Sequence, residues 1–115
     1  MQPHDLRILE HIADYCDDIQ DALKRVEQSY DRFTADRPMQ YMMAFSILQI
    51  GELVGKLSDE IRSSTIHEID WPAVKRMRNI IVHNYGEIRF SILWNVATED
   101  IPLLKAFCEK HLGQS

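Results

Sequence analysis

The feature that most constrains this chain is the spacing of its apolar residues near the amino end. From Asp5 to about Tyr30 they recur in steps of three and four, while the intervening positions are mainly acidic. This spacing places the apolar side chains on one face of an α-helix. It predicts a long amphipathic helix whose buried face contains Leu6, Leu9, Ile12, Tyr15, Ile19, Leu23, Val26 and Tyr30.

A second, more apolar helix is predicted from Met39 to Ile61, with Pro38 where a first helical turn tolerates proline. Gly51 and Gly55 lie four residues apart within it. Glycine destabilises a helix interior by up to about 1 kcal/mol relative to alanine, so a use for the missing side chains is expected. Close approach of another helix is the favoured use, and a ligand-facing role for Gly51 and Glu52 is the alternative.

The segment from Ser63 to Glu68 is polar and β-branched and is predicted to be a loop. Asp70 then suits the capping position of a third helix, with Pro72 in its first turn. This helix is expected to end at His83 or Asn84.

Gly86 is a natural helix terminator. A last helix is predicted from Ile88 or Ser91 to Leu112, with a kink at Pro102. The chain has only four glycines and four prolines, which disfavours turn-dense β architectures. We therefore predict an all-α, antiparallel, four-helix up-and-down bundle that forms a single domain over residues 1–115.

Charge and hydropathy limit the possible surroundings and partners. No apolar run approaches the roughly 18 residues that span a bilayer, and the first residues lack signal-peptide features, so a cytoplasmic protein without membrane contact is expected. Cys16 and Cys108 belong to no Cys-x-x-Cys pair and are interpreted as small buried hydrophobes.

The net charge of −5 argues against broad nucleic-acid binding, which needs a basic field. A local basic segment nevertheless exists. It contains Lys75, Arg76, Arg78, His83 and Arg89. Lys75, Arg76 and Arg89 are therefore RNA-binding candidates, although a solvated basic helix face would have the same composition.

Common enzyme motifs are absent: the sequence has no glycine-rich phosphate loop, no His-Glu-x-x-His and no zinc-spaced cluster of cysteine and histidine. Four of the five histidines are scattered, and each is predicted to be a surface residue. His83 differs because it shares a short stretch with Arg78, Asn79 and Tyr85.

This set suits RNA cleavage without a metal or cofactor. A histidine can transfer protons near neutral pH, and an arginine matches phosphate oxygens with two hydrogen bonds. A single histidine is insufficient for both proton transfers, so a two-fold dimer that joins two motifs is expected. In the alternative structural interpretation, Arg78 pairs with the acidic first helix, His83 caps the third helix and Tyr85 packs.

At this motif the sequence resembles the HepT-like toxins of the HEPN superfamily, whose signature is Arg-x4-His-x-Tyr. Arg78, His83 and Tyr85 match the fixed positions, and Asn79 matches the polar residue that follows the arginine. The resemblance extends over nearly the whole chain, including the segments 49–52, 69–71, 77–79, 93–94 and 103–104.

The resemblance implies a homodimeric HEPN-like bundle in which two motifs face one cleft. It implies a metal-independent endoribonuclease toxin in which Arg78 stabilises the phosphate, His83 acts as acid and base, and Asn79 orients one of them. It also implies an MntA-like nucleotidyltransferase antitoxin that transfers AMP to Tyr85. The alternative is a non-catalytic HEPN subunit that binds a nucleotidyltransferase.

Overall fold

A computed structural model describes residues 1–83 and 89–113, without the side chains of Val82 and His83. All regular structure in these two ranges is helical, which confirms the all-α prediction. The elements are α1 (Pro3–Arg25), α2 (Tyr30–Thr34), α3 (Arg37–Val54), α4 (Asp59–Ser64), α5 (Trp71–His83), α6 (Phe90–Asn95), a π-helical turn (Val96–Asp100) and α7 (Ile101–Gly113).

The predicted first helix has most of its expected buried face but a different end. Leu6 and Tyr15 are only half-buried, and Tyr30, predicted to be buried, is exposed. α1 begins with a proline in its first turn and stops at Arg25, and not near Tyr30. Glu27 and Gln28 adopt left-handed backbone conformations, with φ of 54° and 57°. Ser29 then caps α2, because its hydroxyl accepts a hydrogen bond from the amide of Arg32.

The predicted second helix, 39–61, is in fact two helices. α3 ends at Val54, and α4 begins after Ser58, whose hydroxyl accepts from the amide of Ile61. The buried carboxylate of Asp5 accepts hydrogen bonds from the Ser58 amide at 2.9 Å and from its hydroxyl at 2.7 Å. This contact with α1 fixes the start of α4. The loop predicted from residue 63 to 68 therefore begins later than expected, since α4 continues to Ser64.

The predicted last helix is interrupted close to where a kink was expected. The π-helical turn Val96–Asp100 lies between α6 and α7, and Pro102 follows in the first turn of α7. Proline has no amide hydrogen, so it cannot donate to the carbonyl four residues earlier. The helix relieves this mismatch through one wider turn, which is a recognised form of helix irregularity.

α1 packs against both α3 and α7, and α5 packs against α3. The long elements α1, α3, α5 and the α6–α7 segment correspond to the four predicted helices, to which the short α2 and α4 are added. No helix in the described part of the chain is both long enough and apolar enough to cross a bilayer.

The two cysteines are buried in this core as free thiols, as the sequence predicted. Burial raises the pKa of Cys16 to about 12, with a further contribution from the nearby Cys108. Burial also raises the pKa of Cys108 to about 12. Both side chains therefore behave as apolar groups at neutral pH.

Candidate active site

The helix that carries the motif, α5, is fixed at its amino end. The carboxylate of Asp70 accepts a hydrogen bond from the amide of Ala73, which confirms the predicted cap, and Pro72 lies in the first turn. Trp71 is buried; its indole N–H donates to the hydroxyl of Thr65 at 2.9 Å and its ring meets Phe107 edge-on at 5.3 Å. These contacts fix the position from which α5 extends towards His83.

Gly51 brings α5 very close to α3. A Cβ atom at this position would lie 2.5 Å from Cγ of Arg78 and closer still to Cβ of Arg78. Ordinary carbon–carbon contacts are about 3.5–4.0 Å. The absence of a side chain at Gly51 is therefore a condition for the observed position of Arg78. This confirms the close approach predicted for Gly51.

The prediction of close helix approach is wrong for Gly55. A Cβ atom there would meet only backbone oxygens of its own helix, at 3.4 Å and 3.8 Å. Gly55 instead occupies the position at which α3 ends.

Arg78 is held by two neighbours. Its Nε donates to Oε1 of Glu52 at 2.7 Å, and its Nη2 forms an ion pair with the same oxygen. Its Nη1 donates to Oδ1 of Asn79 at 3.0 Å. The sequence had offered the acidic first helix as an alternative partner for Arg78, but the observed partner is Glu52 of α3. The contact from Asn79 is the one expected of a residue that orients the arginine.

An open groove of about 510 Å³ lies beside Arg78. Lys75, one helical turn before Arg78, lines it together with Gly51, Glu52 and Arg62 of α4. The walls also include apolar side chains from Val54, Ile66, Trp71 and Pro72. The groove thus combines three cations and one carboxylate with apolar walls.

Arg62 was not among the residues that the sequence singled out. It lies outside the basic segment, on α4, and lines the same groove as Lys75 and Arg78 of α5. Its guanidinium is paired with Asp59 at 2.7 Å. No spacing in the sequence indicates this placement, since it depends on the turn between α3 and α4.

The other basic candidates lie outside the groove. Arg76 faces Asp70, at the amino end of α5, with 3.9 Å between Nη2 and the carboxylate. Arg89 is exposed at the start of α6. Of the three RNA-binding candidates, the structure brings only Lys75 to the groove beside Arg78.

α5 is helical up to His83, and the helix end predicted at His83 or Asn84 lies where the described residues stop. Its side chain, and the whole of residues 84–88 including Tyr85 and Gly86, lie outside the described residues. Arg78 and His83 are five residues apart on one helix, so their backbones are about 7.5 Å apart along the helix axis.

One histidine outside the motif departs from the surface role predicted for it. The side chain of His111 is 14% exposed; its ring packs against Phe107 at 4.4 Å, and its Nε2 lies 3.1 Å from Oε1 of Glu68. Hydrogen bonds from Lys110 and His111 lower the pKa of the Glu68 carboxyl group. These contacts join α7 to the segment before α5. Among the side chains that the structure describes, which exclude that of His83, no cluster of three or more His, Cys, Asp or Glu could hold a metal ion.

Comparison with known proteins places this arrangement in a family. Residues 9–111 match the family described as ribonuclease HepT-like. The chain belongs to this family. The resemblance inferred from Arg78, His83 and Tyr85 is thereby confirmed.

Several relatives of this HepT-like chain are of similar length. A "Probable ribonuclease HepT" of Thermococcus cleftensis is 31% identical, over 84% of this chain and 92% of the relative. A "Putative RNase" of Methanocaldococcus jannaschii is 30% identical, over 89% and 82%. Another "Putative RNase", from Caldanaerobacter subterraneus, is 28% identical, over 84% of each chain. No solved structure matches the chain significantly.

Proposed function

We propose that this HepT-like chain is a metal-independent endoribonuclease in which Arg78 binds the scissile phosphate and His83 transfers protons. The observation that carries the proposal is the fixed guanidinium of Arg78, held by Glu52 and Asn79 at the edge of a groove that also contains Lys75. A positioned cation beside an open groove is suited to stabilise charge that develops on a phosphate in the transition state. Membership of a ribonuclease family supports this chemistry.

The proposed reaction needs no water in its first step. The 2′-hydroxyl of the RNA attacks phosphorus and loses its proton to a histidine, while the bond from phosphorus to the 5′-oxygen breaks and that oxygen accepts a proton. The products are a 2′,3′-cyclic phosphate and a 5′-hydroxyl. Arg78 stabilises the pentavalent phosphate, because a guanidinium stays charged and can form two hydrogen bonds to phosphate oxygens.

We place this site in a homodimer. The motif supplies one histidine per chain, whereas the reaction requires one proton acceptor and one proton donor. Two motifs facing one cleft would supply both and would double the local positive charge. That concentration of charge matters in a chain whose net charge is −5, because RNA binding depends on phosphate neutralisation.

The experiment is cleavage of a labelled RNA by the purified chain in excess EDTA, followed by identification of the product ends. We expect cleavage to continue in EDTA and to be abolished by His83→Ala and by Arg78→Ala. The control is His67→Ala, which changes an exposed histidine outside the groove and should retain full activity. Undiminished cleavage by His83→Ala would contradict the proposed mechanism.

We further propose that the chain is a toxin neutralised by an MntA-like nucleotidyltransferase antitoxin at Tyr85. The hydroxyl of Tyr85 would attack the α-phosphorus of ATP, lose its proton and release pyrophosphate, leaving AMP on the tyrosine. A bulky anion there would repel RNA phosphate, as phosphorylation does at other sites. The proposal rests on the match of Tyr85 to the family motif.

Intact mass after co-expression with the nucleotidyltransferase tests this modification. We expect added multiples of an AMP unit, lost in Tyr85→Phe, together with loss of RNA cleavage in the modified protein. Stable binding of the nucleotidyltransferase by a chain that never cleaves RNA would instead support the alternative, a non-catalytic binding subunit.

A further inference from the structure

We infer that Glu52 is a positioning residue for Arg78, an inference that rests on the proposed ribonuclease function. Glu52 lies 26 positions before Arg78 in the sequence and on a different helix, α3. A single oxygen of its carboxylate, Oε1, accepts a hydrogen bond from Nε of the arginine and forms an ion pair with Nη2. This contact fixes one edge of the guanidinium in relation to the helix packing.

The contacts of Arg78 with Glu52 and Asn79 leave N–H groups on its terminal nitrogens that can bind a phosphate. An arginine side chain carries five N–H donors in a rigid plane. Glu52 accepts a hydrogen bond from Nε and forms an ion pair with Nη2, and Asn79 accepts a hydrogen bond from Nη1. Among the described residues, at least one N–H on each terminal nitrogen is therefore outside these contacts. Two parallel donors on the terminal nitrogens can bind two phosphate oxygens.

The surroundings also favour a positioning role for Glu52. The adjacent Gly51 is in close contact with the Cβ and Cγ atoms of Arg78, so the base of the arginine side chain is fixed by packing. Glu52 and Asn79 fix its far end. The arginine is 33% exposed and Glu52 is 45% exposed, so the pair stands at the groove and not in the core. The guanidinium is thus ordered before any substrate binds.

A competing role would give the opposite result. If Glu52 only neutralised Arg78 or repelled RNA, its removal would strengthen RNA binding and increase cleavage. If Glu52 positions Arg78, its removal lets the guanidinium leave its productive orientation. A displacement of about 1 Å in an active site can reduce a rate by about 100-fold.

The kinetic test uses the full chain and compares Glu52→Ala and Glu52→Gln with the wild type. We expect kcat to fall by about 10- to 100-fold in Glu52→Ala, with KM unchanged or lower because a negative charge leaves the groove. Glu52→Gln should recover part of this loss, since its amide oxygen can still accept from Nε. The pH dependence of kcat should keep its shape, because Glu52 transfers no proton. Wild-type or higher kcat in Glu52→Ala, or loss of one limb of the pH profile, would overturn the inference.

The control is Glu10→Gln, which removes the same charge from an exposed position on α1 outside the groove and should leave kcat and KM unchanged. Thermal denaturation of each variant checks that the assay temperature lies below its unfolding transition. An equal loss of kcat in Glu10→Gln would mean that the net charge, and not Glu52, determines activity.

A spectroscopic measurement separates this inference from the proposed function. The Nε–H resonance of Arg78, assigned by its absence in Arg78→Lys, should exchange slowly with water in the wild type and rapidly in Glu52→Ala. If the Nε–H of Arg78 exchanges slowly but the chain cleaves no RNA, the positioning role of Glu52 is supported and the ribonuclease proposal is refuted. Rapid exchange in the wild type would refute the role of Glu52.

Discussion

Replacement of Gly51 by alanine tests the packing that positions Arg78. The new Cβ atom would lie 2.5 Å from Cγ of Arg78 and closer still to its Cβ, where about 3.5–4.0 Å is normal. The helices α3 and α5 must therefore separate by about 1 Å or more. Overpacking of this kind destabilises a protein by about 1–3 kcal/mol, whereas alanine stabilises a helix interior by up to about 1 kcal/mol relative to glycine. We expect a net loss of about 1–2 kcal/mol and a fall in Tm of about 4–8 °C.

The matched control is the same substitution at Gly55, where the new Cβ meets only backbone oxygens of its own helix at ordinary distances. The backbone at Gly55, with φ of −63° and ψ of −18°, is accessible to alanine. Gly55→Ala should therefore be neutral or more stable by about 0.4–1 kcal/mol. Urea denaturation measures both variants. Equal stability changes at the two positions would refute the proposed close packing, as would a Gly51→Ala variant as stable as the wild type.

Three further predictions concern the groove and the core. Lys75→Ala should weaken RNA binding several-fold and reduce by about one unit the slope of the logarithm of the RNA association constant against the logarithm of salt concentration. Arg76→Ala, outside the groove, should have a smaller effect on both quantities. A larger effect of Arg76→Ala would contradict the placement of RNA in this groove. Asp5→Ala should cost about 2 kcal/mol in urea denaturation, because the Ser58 amide loses its charged partner. A change below about 0.5 kcal/mol would show that this contact is not what fixes α4. The two buried thiols, with pKa values raised to about 12, should resist alkylation in the native protein at pH 8 and react once it is unfolded. Between pH 9 and 12 the thiols ionise only in the unfolded protein, so the free energy of unfolding should fall as the pH rises through this range. This fall should be smaller when both cysteines are replaced by alanine.

Local sequence patterns predicted the long helices well. The apolar stripe of α1 and the Asp70 cap of α5 follow from spacing and capping rules that act within one helix. The break after α1 could not be predicted in this way, because the left-handed conformations occur at Glu27 and Gln28 and not at a glycine, the residue that usually indicates them.

Contacts between distant segments could not be predicted from spacing. The carboxylate of Asp5 fixes the start of α4 through Ser58, 53 residues later, so the helix predicted over 39–61 divides in two. The motif marked Arg78 as a functional residue, but its partner Glu52 depends on how α3 packs against α5. The position of Tyr85 in relation to the groove remains a prediction.

The contact between Gly51 and Arg78 has a consequence for how such a chain can change over time. Any side chain at position 51 competes for the space occupied by the Cβ and Cγ atoms of residue 78. A side chain at position 51 therefore fits beside Arg78 only if α3 and α5 move apart, and that separation displaces the arginine. Positions 51 and 78 are therefore coupled through packing: the volume of the side chain at 51 determines where the arginine at 78 can lie.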